Sequence, residues 1–525
     1  MSMSAFPYLS VLTAAPAIGG LVVAAVPNRR PELAKWLATI WSVAVLAVTI
    51  AAYVAFDAGG DRFQLRESYQ WIPTWDARFT FAADGIAMVM LLLIAILVPV
   101  VLVASWHDTD VPEGSDQPRR SAPVYYALLL LLESTMLGVF AAQDIFLFYV
   151  FFEIMLVPMY FLIGSYGGQH RQYAAVKFFL YSLVGGLFML AAVIGLWVVG
   201  GHTFDWQHLH DASFATGTER WLFLGFFAAF AIKAPFFPFH TWLPDAGGAA
   251  PAGAAALLVG VLDKVGTFGI LRYCLPLFPN ASKYFAPLGL VLALVGVIYG
   301  ALLAIGQNDL KRLVSYTSIA HFGFIGVGIF AFTTQAGTGA VLYMVNHGLA
   351  TGLLFIVVGM LVARRGSAAI SDFGGVGAQL PVLSGVLFIA GMASLALPGT
   401  APFVSEFLVL IGTFTVHKVV AVVATAGIVL AAGYVLWMIQ RTTQGTLNPV
   451  VATIGAMRRD LSVREAIVVT PLIALILVLG VYPKPVLDVI NPAVQQTLSD
   501  IGKATDPAPT NPVPAAGAVS KETGK

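Results

Sequence analysis

Charge and cysteine are what this sequence has least of. Only 10% of its 525 residues are charged, against roughly 25% in an average soluble chain. The 28 Lys and Arg nearly balance the 27 Asp and Glu, so no basic surface exists to displace counterions from a nucleic acid, and no nucleic-acid partner is expected. The single cysteine, Cys274, excludes an internal disulfide. No Cys/His cluster has metal-ligand spacing, so neither a metal nor a haem is expected. Nucleotide loops and cluster-binding cysteines are also missing, which leaves the chain nothing with which to collect electrons. What it has in abundance is apolar side chains, with 58% hydrophobic residues and a mean hydropathy of +0.85. Apolar runs of about 20 residues follow one another, the pattern of an all-α polytopic membrane protein.

The runs place about fourteen transmembrane helices, near 8–26, 33–56, 81–105, 123–141, 144–165, 173–200, 220–240, 252–275, 284–305, 310–332, 337–362, 381–412, 417–440 and 464–482. The first is read as a membrane span and not as a signal peptide, because no basic residue precedes it and Arg29 and Arg30 follow it. Alternating the loops gathers Arg29, Arg30, Arg119, Arg120, Lys311, Arg312, Arg364 and Arg365 on one side. Taken as cytoplasmic, that side leaves both termini, and Arg272, outside. The outer loop 57–80 carries Arg62, Arg66, Trp71, Pro73 and Trp75, a mixture suited to an interfacial hairpin or short helix. The segment 442–461, with Arg458 and Arg459, is amphipathic and suited to the inner surface. From Ala504 onward the composition is that of a disordered tail.

Against this background each ionisable residue inside an apolar run stands out, since one charge at membrane depth costs about 2.5–3.5 kcal/mol on insertion scales. Lys233 lies in AIKAPFFPFHTWLPDA, where Pro235 and Pro238 break the helix and free carbonyls that can solvate an ammonium. The bland alternative is a lysine snorkelling to the inner boundary. Glu153, in FYVFFEIMLVPMYFLIG, must be protonated or lie near a cation, and Lys233 is the obvious counter-charge. Lys264 follows near the middle of the next span, with Asp263 beside it. Neighbours on a helix point about 100° apart, so Asp263 either modulates Lys264 or faces another helix. Glu133 is either a neutral structural carboxyl or part of the same system. His321 has Ser318 three residues before it and His347 has Thr351 four residues after it, so each shares a helix face with a hydroxyl and the two suggest a relay. Glu406 closes the series beside Pro398, Gly399 and Pro402.

The triplet Ala401-Pro402-Phe403 echoes Ala234-Pro235-Phe236. Each broken segment comes fourth in a run of five spans, which predicts two five-helix repeats of opposite orientation. The expected organisation is helices one to three over 1–122, a first repeat over 123–275 and a second over 284–440. An amphipathic connector with helix fourteen over 441–499 and a tail over 500–525 complete it.

Taken together, FYVFFEIMLVPMYFLIG, AIKAPFFPFHTWLPDA, LDKVGTFGILR, NDLKRLVSYTSIAHFGFIGVG, NHGLATGLLFIVVGML and PGTAPFVSEF resemble the proton-translocating antiporter-like subunits of respiratory complex I and of Mrp-type cation/proton antiporters. The resemblance covers roughly helices four to thirteen. It implies a Glu153–Lys233 pair near an inlet half-channel, Lys264 as central carrier, His321 and His347 as the link, and Glu406 at the exit side. Asp263, Glu133 and His240 would modulate that path. Members of the family more often carry lysine where this chain has Glu406, which resembles one branch of the complex I members. Implied partners are the other membrane-arm subunits, especially L- and N-type antiporter-like chains, with FMN, iron-sulfur clusters and quinone held in partner subunits. The implied location is the bacterial cytoplasmic membrane. An Mrp-type antiporter subunit, the membrane arm of a hydrogenase complex, and a structural scaffold are the rival expectations. The chain departs from the family after WLPDA, where Gly247-Gly248-Ala249-Ala250-Pro251-Ala252 replaces a more polar run.

Overall fold

Long apolar runs satisfy their backbone groups within helices, because lipid offers no hydrogen-bond partner. The computed structural model describes residues 6–110, 120–453 and 459–503 and is almost entirely helical. In chain order the helices are α1 (Tyr8–Ala24), α2 (Pro31–Ala55), α3 (Gly85–Ala104), α4 (Ala122–Ala141), α5 (Ile145–Tyr166), α6 (Arg171–Val199), α7 (Trp206–His210), α8 (Thr216–Lys233), α9 (Trp242–Ala249), α10 (Ala252–Leu277), α11 (Pro279–Ile305), α12 (Leu310–Phe330), α13 (Thr334–Arg365), α14 (Pro381–Ser394), α15 (Ala401–Val416), α16 (Lys418–Thr443), α17 (Pro449–Thr453), α18 (Val463–Val481) and α19 (Lys484–Asp500). Among the described residues, 11 helices are long and apolar enough to cross a membrane, fewer than the expected fourteen. The other three expected segments are helical but short or interrupted: α1 has 17 residues, 220–240 is helical only as far as Lys233, where α8 ends, and 381–412 divides between α14 and α15.

Burial separates an inner set from an outer ring. The most apolar window of α10 is 100% buried and that of α12 is 94% buried, whereas those of α2, α16 and α18 are only 33% buried. The outer helices present Val54, Val419, Val429 and Val481 outward, which suits lipid and would be costly in water. Asp263 and Lys264 on α10, His321 on α12 and His347 on α13 therefore lie buried at the centre of the protein.

The 57–80 loop is a hairpin. Strands β1 (Gln64–Ile72) and β2 (Ala77–Ala83) pair antiparallel, with Glu67 opposite Phe81 and Ser68 opposite Thr80. Residues 81–83, expected at the start of the third span, therefore belong to a strand, and α3 begins only after Asp84, whose carboxylate accepts from Ala87 N at 2.7 Å. Glu67 reaches the start of α1 and accepts from Leu9 N and Ser10 N at 2.8 and 3.0 Å. Those amides have no partner within α1, so the hairpin also acts as its cap. Arg272 is not in an outer loop. It is buried on α10, with Nη2 2.7 Å from Asp84 Oδ1 and Nε donating to Oδ2 at 3.1 Å.

At the other end of the chain, α19 was not anticipated. Its sequence is polar on one side and apolar on the other, and Val489, Ile490, Val494 and Leu498 are buried. It lies across α3, α10 and α13. Thr338 on α13 donates to Asn491 at 2.8 Å, and Asp500 accepts from Arg62 at 2.7 Å and contacts His210 Nε2 at 3.1 Å. Of the expected connector 442–461, residues 442–453, which include α17, and 459–461 are described; Asp460 caps α14 by accepting from Val382 N and Leu383 N at 2.8 and 2.9 Å. Arg458 and the expected tail from Ala504 lie outside the described residues.

The hydrogen bond from Asp500 holds the His210 imidazole above its ordinary value of 6.5. A histidine whose folded value is raised stabilises the docked state fully below its unfolded value and loses that contribution as pH rises through the folded value. Docking of α19 should therefore weaken as pH rises from below the imidazole's ordinary 6.5 through its raised folded value. Hydrogen exchange across α19 should report faster opening at the upper end, and His210→Gln should remove the pH dependence.

Candidate functional site

Helix α8 ends at Lys233 because Pro235 and Pro238 cannot continue it. The Lys233 amine is buried, makes no hydrogen bond among the described residues, and lies over the rings of Phe152 and Phe178, 4.8 and 5.7 Å from their centroids. Glu153 sits on α5, two residues before the irregular step at Met155 that divides this helix. Its carboxylate acts electrostatically on Lys233, yet the two form no ion pair within 4 Å. The expected pair is thus two charges in range but out of contact, each free to take a proton or another partner. Gly186 on α6 makes room for Glu153: a Cβ there would collide with Glu153 Oε1. His240 is buried in the break after α8, its ring 5.9 Å from Phe237 and 5.2 Å from Tyr299.

Helix α10 contains two π-helical turns, Leu258–Leu262 and Ile270–Cys274, and Lys264 lies between them. Such turns redirect side chains by inserting a residue into the helix, and they recur at functional sites. The fully buried Lys264 amine donates to the Val259 carbonyl and lies 2.6 Å from His347 Nδ1 on α13. The rings of His347 and His321 follow at 5.1 Å between centroids. His321 Nε2 on α12 lies 3.5 Å from the Tyr434 hydroxyl on α16, and its ring is 5.9 Å from that of Tyr343 on α13. Tyr343 then donates to Glu406 Oε2 at 3.3 Å. Lysine, two histidines, two tyrosines and a glutamate form one row through the buried helices. Tyr343 and Tyr434 were missed because a tyrosine in an apolar run reads as an ordinary core aromatic. Of the two expected hydroxyl companions, Thr351 keeps its hydroxyl unpartnered among the described residues, but Ser318 donates to Val314 O at 3.0 Å and is tied into its own helix.

Glu406 lies on α15, just after the second break, and borders a cavity of about 290 Å³ with Leu395, Leu397, Phe403 and Ile428. Asn346 on α13 holds this break by donating to Ala401 O at 2.7 Å. The two breaks share one hydrogen-bond pattern. Ala234 N donates to Phe230 O, Phe236 N to Ala231 O and Phe239 N to Phe236 O; Leu395 N donates to Gly391 O, Leu397 N to Met392 O and Thr400 N to Leu397 O. This register pairs Lys233 with Ser394 and Asp245 with Glu406. The repeated Ala-Pro-Phe triplets are therefore not equivalent, since 234–236 ends the first half-helix of its segment and 401–403 begins the second half-helix of the other. Asp245, Glu406's counterpart, accepts from Lys177 at 2.7 Å and from Arg312 at 2.5 Å.

Residues 142–431 match the model of the family described as "NADH:quinone oxidoreductase/Mrp antiporter, TM". The chain belongs to this family. It is 50% identical to NADH-quinone oxidoreductase subunit M of Mycobacterium tuberculosis (strain H37Rv), over 98% of each chain. It superposes on a chain of respiratory complex I from Thermus thermophilus with a TM-score of 0.83 and 29% identity, covering 94% of this chain and 100% of that one. A chain of the Mrp complex from Dietzia shares the fold, with a TM-score of 0.81 at 21% identity, covering 95% of this chain and 99% of that one.

Where this member of the family departs after WLPDA, its small residues allow close packing. A Cβ at Gly247 would collide with Ser315 Oγ and one at Gly248 would crowd Arg312, while Ala250 O accepts from Lys311 Nζ at 2.6 Å. Glu133 stands apart from the row: it is buried on α4 and accepts from Ser42 on α2 at 2.9 Å, with no hydrogen bond or ion pair to the other candidates among the described residues. Gly186 supplies a direct test of Glu153. Gly186→Ala should displace the carboxylate and cut turnover of the assembled complex about as far as Glu153→Gln does, by at least about 10-fold. Gly185→Ala, whose Cβ would touch Ala229 and Ile232 instead, serves as the packing control.

Proposed function

We propose that this chain is the M-type antiporter-like subunit of a bacterial NADH:quinone oxidoreductase and moves protons across the membrane, driven by redox chemistry in partner subunits. The observation that carries this reading is the row of buried side chains from Lys264 through His347 and His321 to Glu406, hydrogen-bonded at its two ends and joined by ring contacts between them. Every member except the amine is an imidazole, a phenol or a carboxyl, groups that can both take up and release a proton. A glutamate rather than a lysine at the end of the row favours the M-type branch, as does the likeness in sequence to the Mycobacterium tuberculosis subunit.

The driving step is electrostatic. A charge pair about 4 Å apart is worth about 4 kcal/mol at an effective dielectric near 20. Bringing Glu153 towards Lys233 holds the proton on the amine, and separating them releases it towards Lys264. His347 accepts it next, His321 and its flanking tyrosines carry it on, and Glu406 delivers it at the second break. Asp263, Glu133 and His240 modulate the path in this reading. The five-helix units 123–275 and 284–440 act as inverted repeats, each contributing one broken helix. FMN, iron-sulfur clusters and quinone belong to partner subunits, L- and N-type chains flank this one, and both termini face outward from the cytoplasmic membrane.

In membrane vesicles carrying the assembled complex, Lys233→Ala and Lys264→Ala should each reduce NADH-driven proton pumping and quinone reduction by about 10-fold or more. Dye-quenching measurements at matched complex content check this. Wild-type pumping in Lys264→Ala would refute the reading. Co-purification with antiporter subunits alone, without a dehydrogenase, would favour the Mrp alternative.

A further inference from the structure

The row has an asymmetry. Between Lys264 and Glu406 stand two imidazoles and two phenols, whereas among the described residues the step from Lys233 to Lys264 has one titratable side chain to serve it, Asp263. Its carboxyl is fully buried, and neither oxygen has a hydrogen-bond partner among the described residues. An unpaired buried carboxylate is costly, so its retention calls for a reason.

The local geometry supplies one. Asp263 follows the first π-helical turn of α10, its amide donating to Leu258 O at 3.1 Å across the widened turn. Gly266 lies three residues further along and so on the same helix face. That face meets the end of α8: a Cβ at Gly266 would lie 2.5 Å from Phe230 O and 2.6 Å from Ala234 N, the residue after Lys233. Asp263 therefore looks towards the first break, while Lys264, one residue on, turns towards His347. The carboxylate acts electrostatically on both lysines.

We propose that Asp263 carries the proton from Lys233 to Lys264; this rests on the proton-translocating reading above. The Lys233 ammonium gives a proton to an Asp263 carboxylate oxygen, leaving a neutral amine and a carboxylic acid. The acid passes the proton to the neutral Lys264 amine, which becomes ammonium as the carboxylate is restored. Charge bookkeeping suits such a step. Glu153, Asp263 and Glu406 with Lys233 and Lys264 are electrically neutral when three protons occupy the five sites and the histidines are neutral. One more carboxyl than amine thus leaves room for a proton to rest on an acid.

Asp263→Asn, Asp263→Glu and Lys264→Ala are compared in vesicles carrying the complete complex, at matched complex content. The Asn variant should pump at least about 10-fold more slowly, and the Glu variant should recover most of the rate. Redox-induced infrared difference spectra of the unsubstituted complex should show an aspartic C=O stretch during turnover that is displaced in Asp263→Glu. Wild-type pumping in Asp263→Asn beside an inactive Lys264→Ala overturns the relay while leaving proton translocation intact. Wild-type pumping in Lys264→Ala overturns the reading beneath it. Absence of the aspartic band means a carboxylate that stays ionised, and also overturns the relay. That spectrum needs only the unsubstituted complex, so it decides the matter even if the Asn variant does not assemble.

Discussion

The cost of placing charge in a medium that cannot solvate it governs this protein. Two lysines, two glutamates and an aspartate lie among apolar helices, and the fold leaves several of them without a matched ion partner. A tight salt bridge would have settled each charge where it stood. The Asp84–Arg272 pair is the contrast, buried, bonded through two nitrogens and fixed. Along the row the groups lie close enough to feel one another and too loosely bound to be locked. In the proposed function, that condition is what lets a change in one charge move a proton at the next.

Irregular backbone supplies this arrangement. The proline breaks after α8 and α14 end two helices at depth, and the π-helical turns of α10 set Asp263 and Lys264 facing different neighbours. The π-helical turns lie on α10, which protein surrounds, whereas the two breaks reach the surface of this chain at Pro238–Phe239 and Leu397–Gly399. Small residues complete the design: Gly186 admits the Glu153 carboxylate, and Gly266 lets α10 touch the end of α8. The α19 helix then ties α3, α10 and α13 together.

The identities of most of the row were legible because a charge or imidazole in an apolar run is costly and therefore conspicuous. Tyr343 and Tyr434 were not, since burying a tyrosine costs little and is common. The two Ala-Pro-Phe triplets misled for a related reason: identical letters carry no register, and the hydrogen bonds pair Lys233 with Ser394 instead. Arg272 looked like a loop residue near the end of a span, and only its buried partner Asp84, nearly two hundred residues earlier, shows otherwise. The α19 helix escaped notice because its polar face lowers its mean hydropathy below that of a membrane span.

Sequence alone determined the class, the membrane setting, the broken helices and most of the ionisable members of the row, because hydropathy and proline act locally. Tertiary structure decided which of those groups face one another. Lys264 reaches His347 rather than Asp263, Glu153 and Lys233 stay apart, and Glu133 stands aside with Ser42. Those outcomes depend on helix rotation and on π-helical turns, which arise from packing between distant segments and leave no periodic trace in the chain.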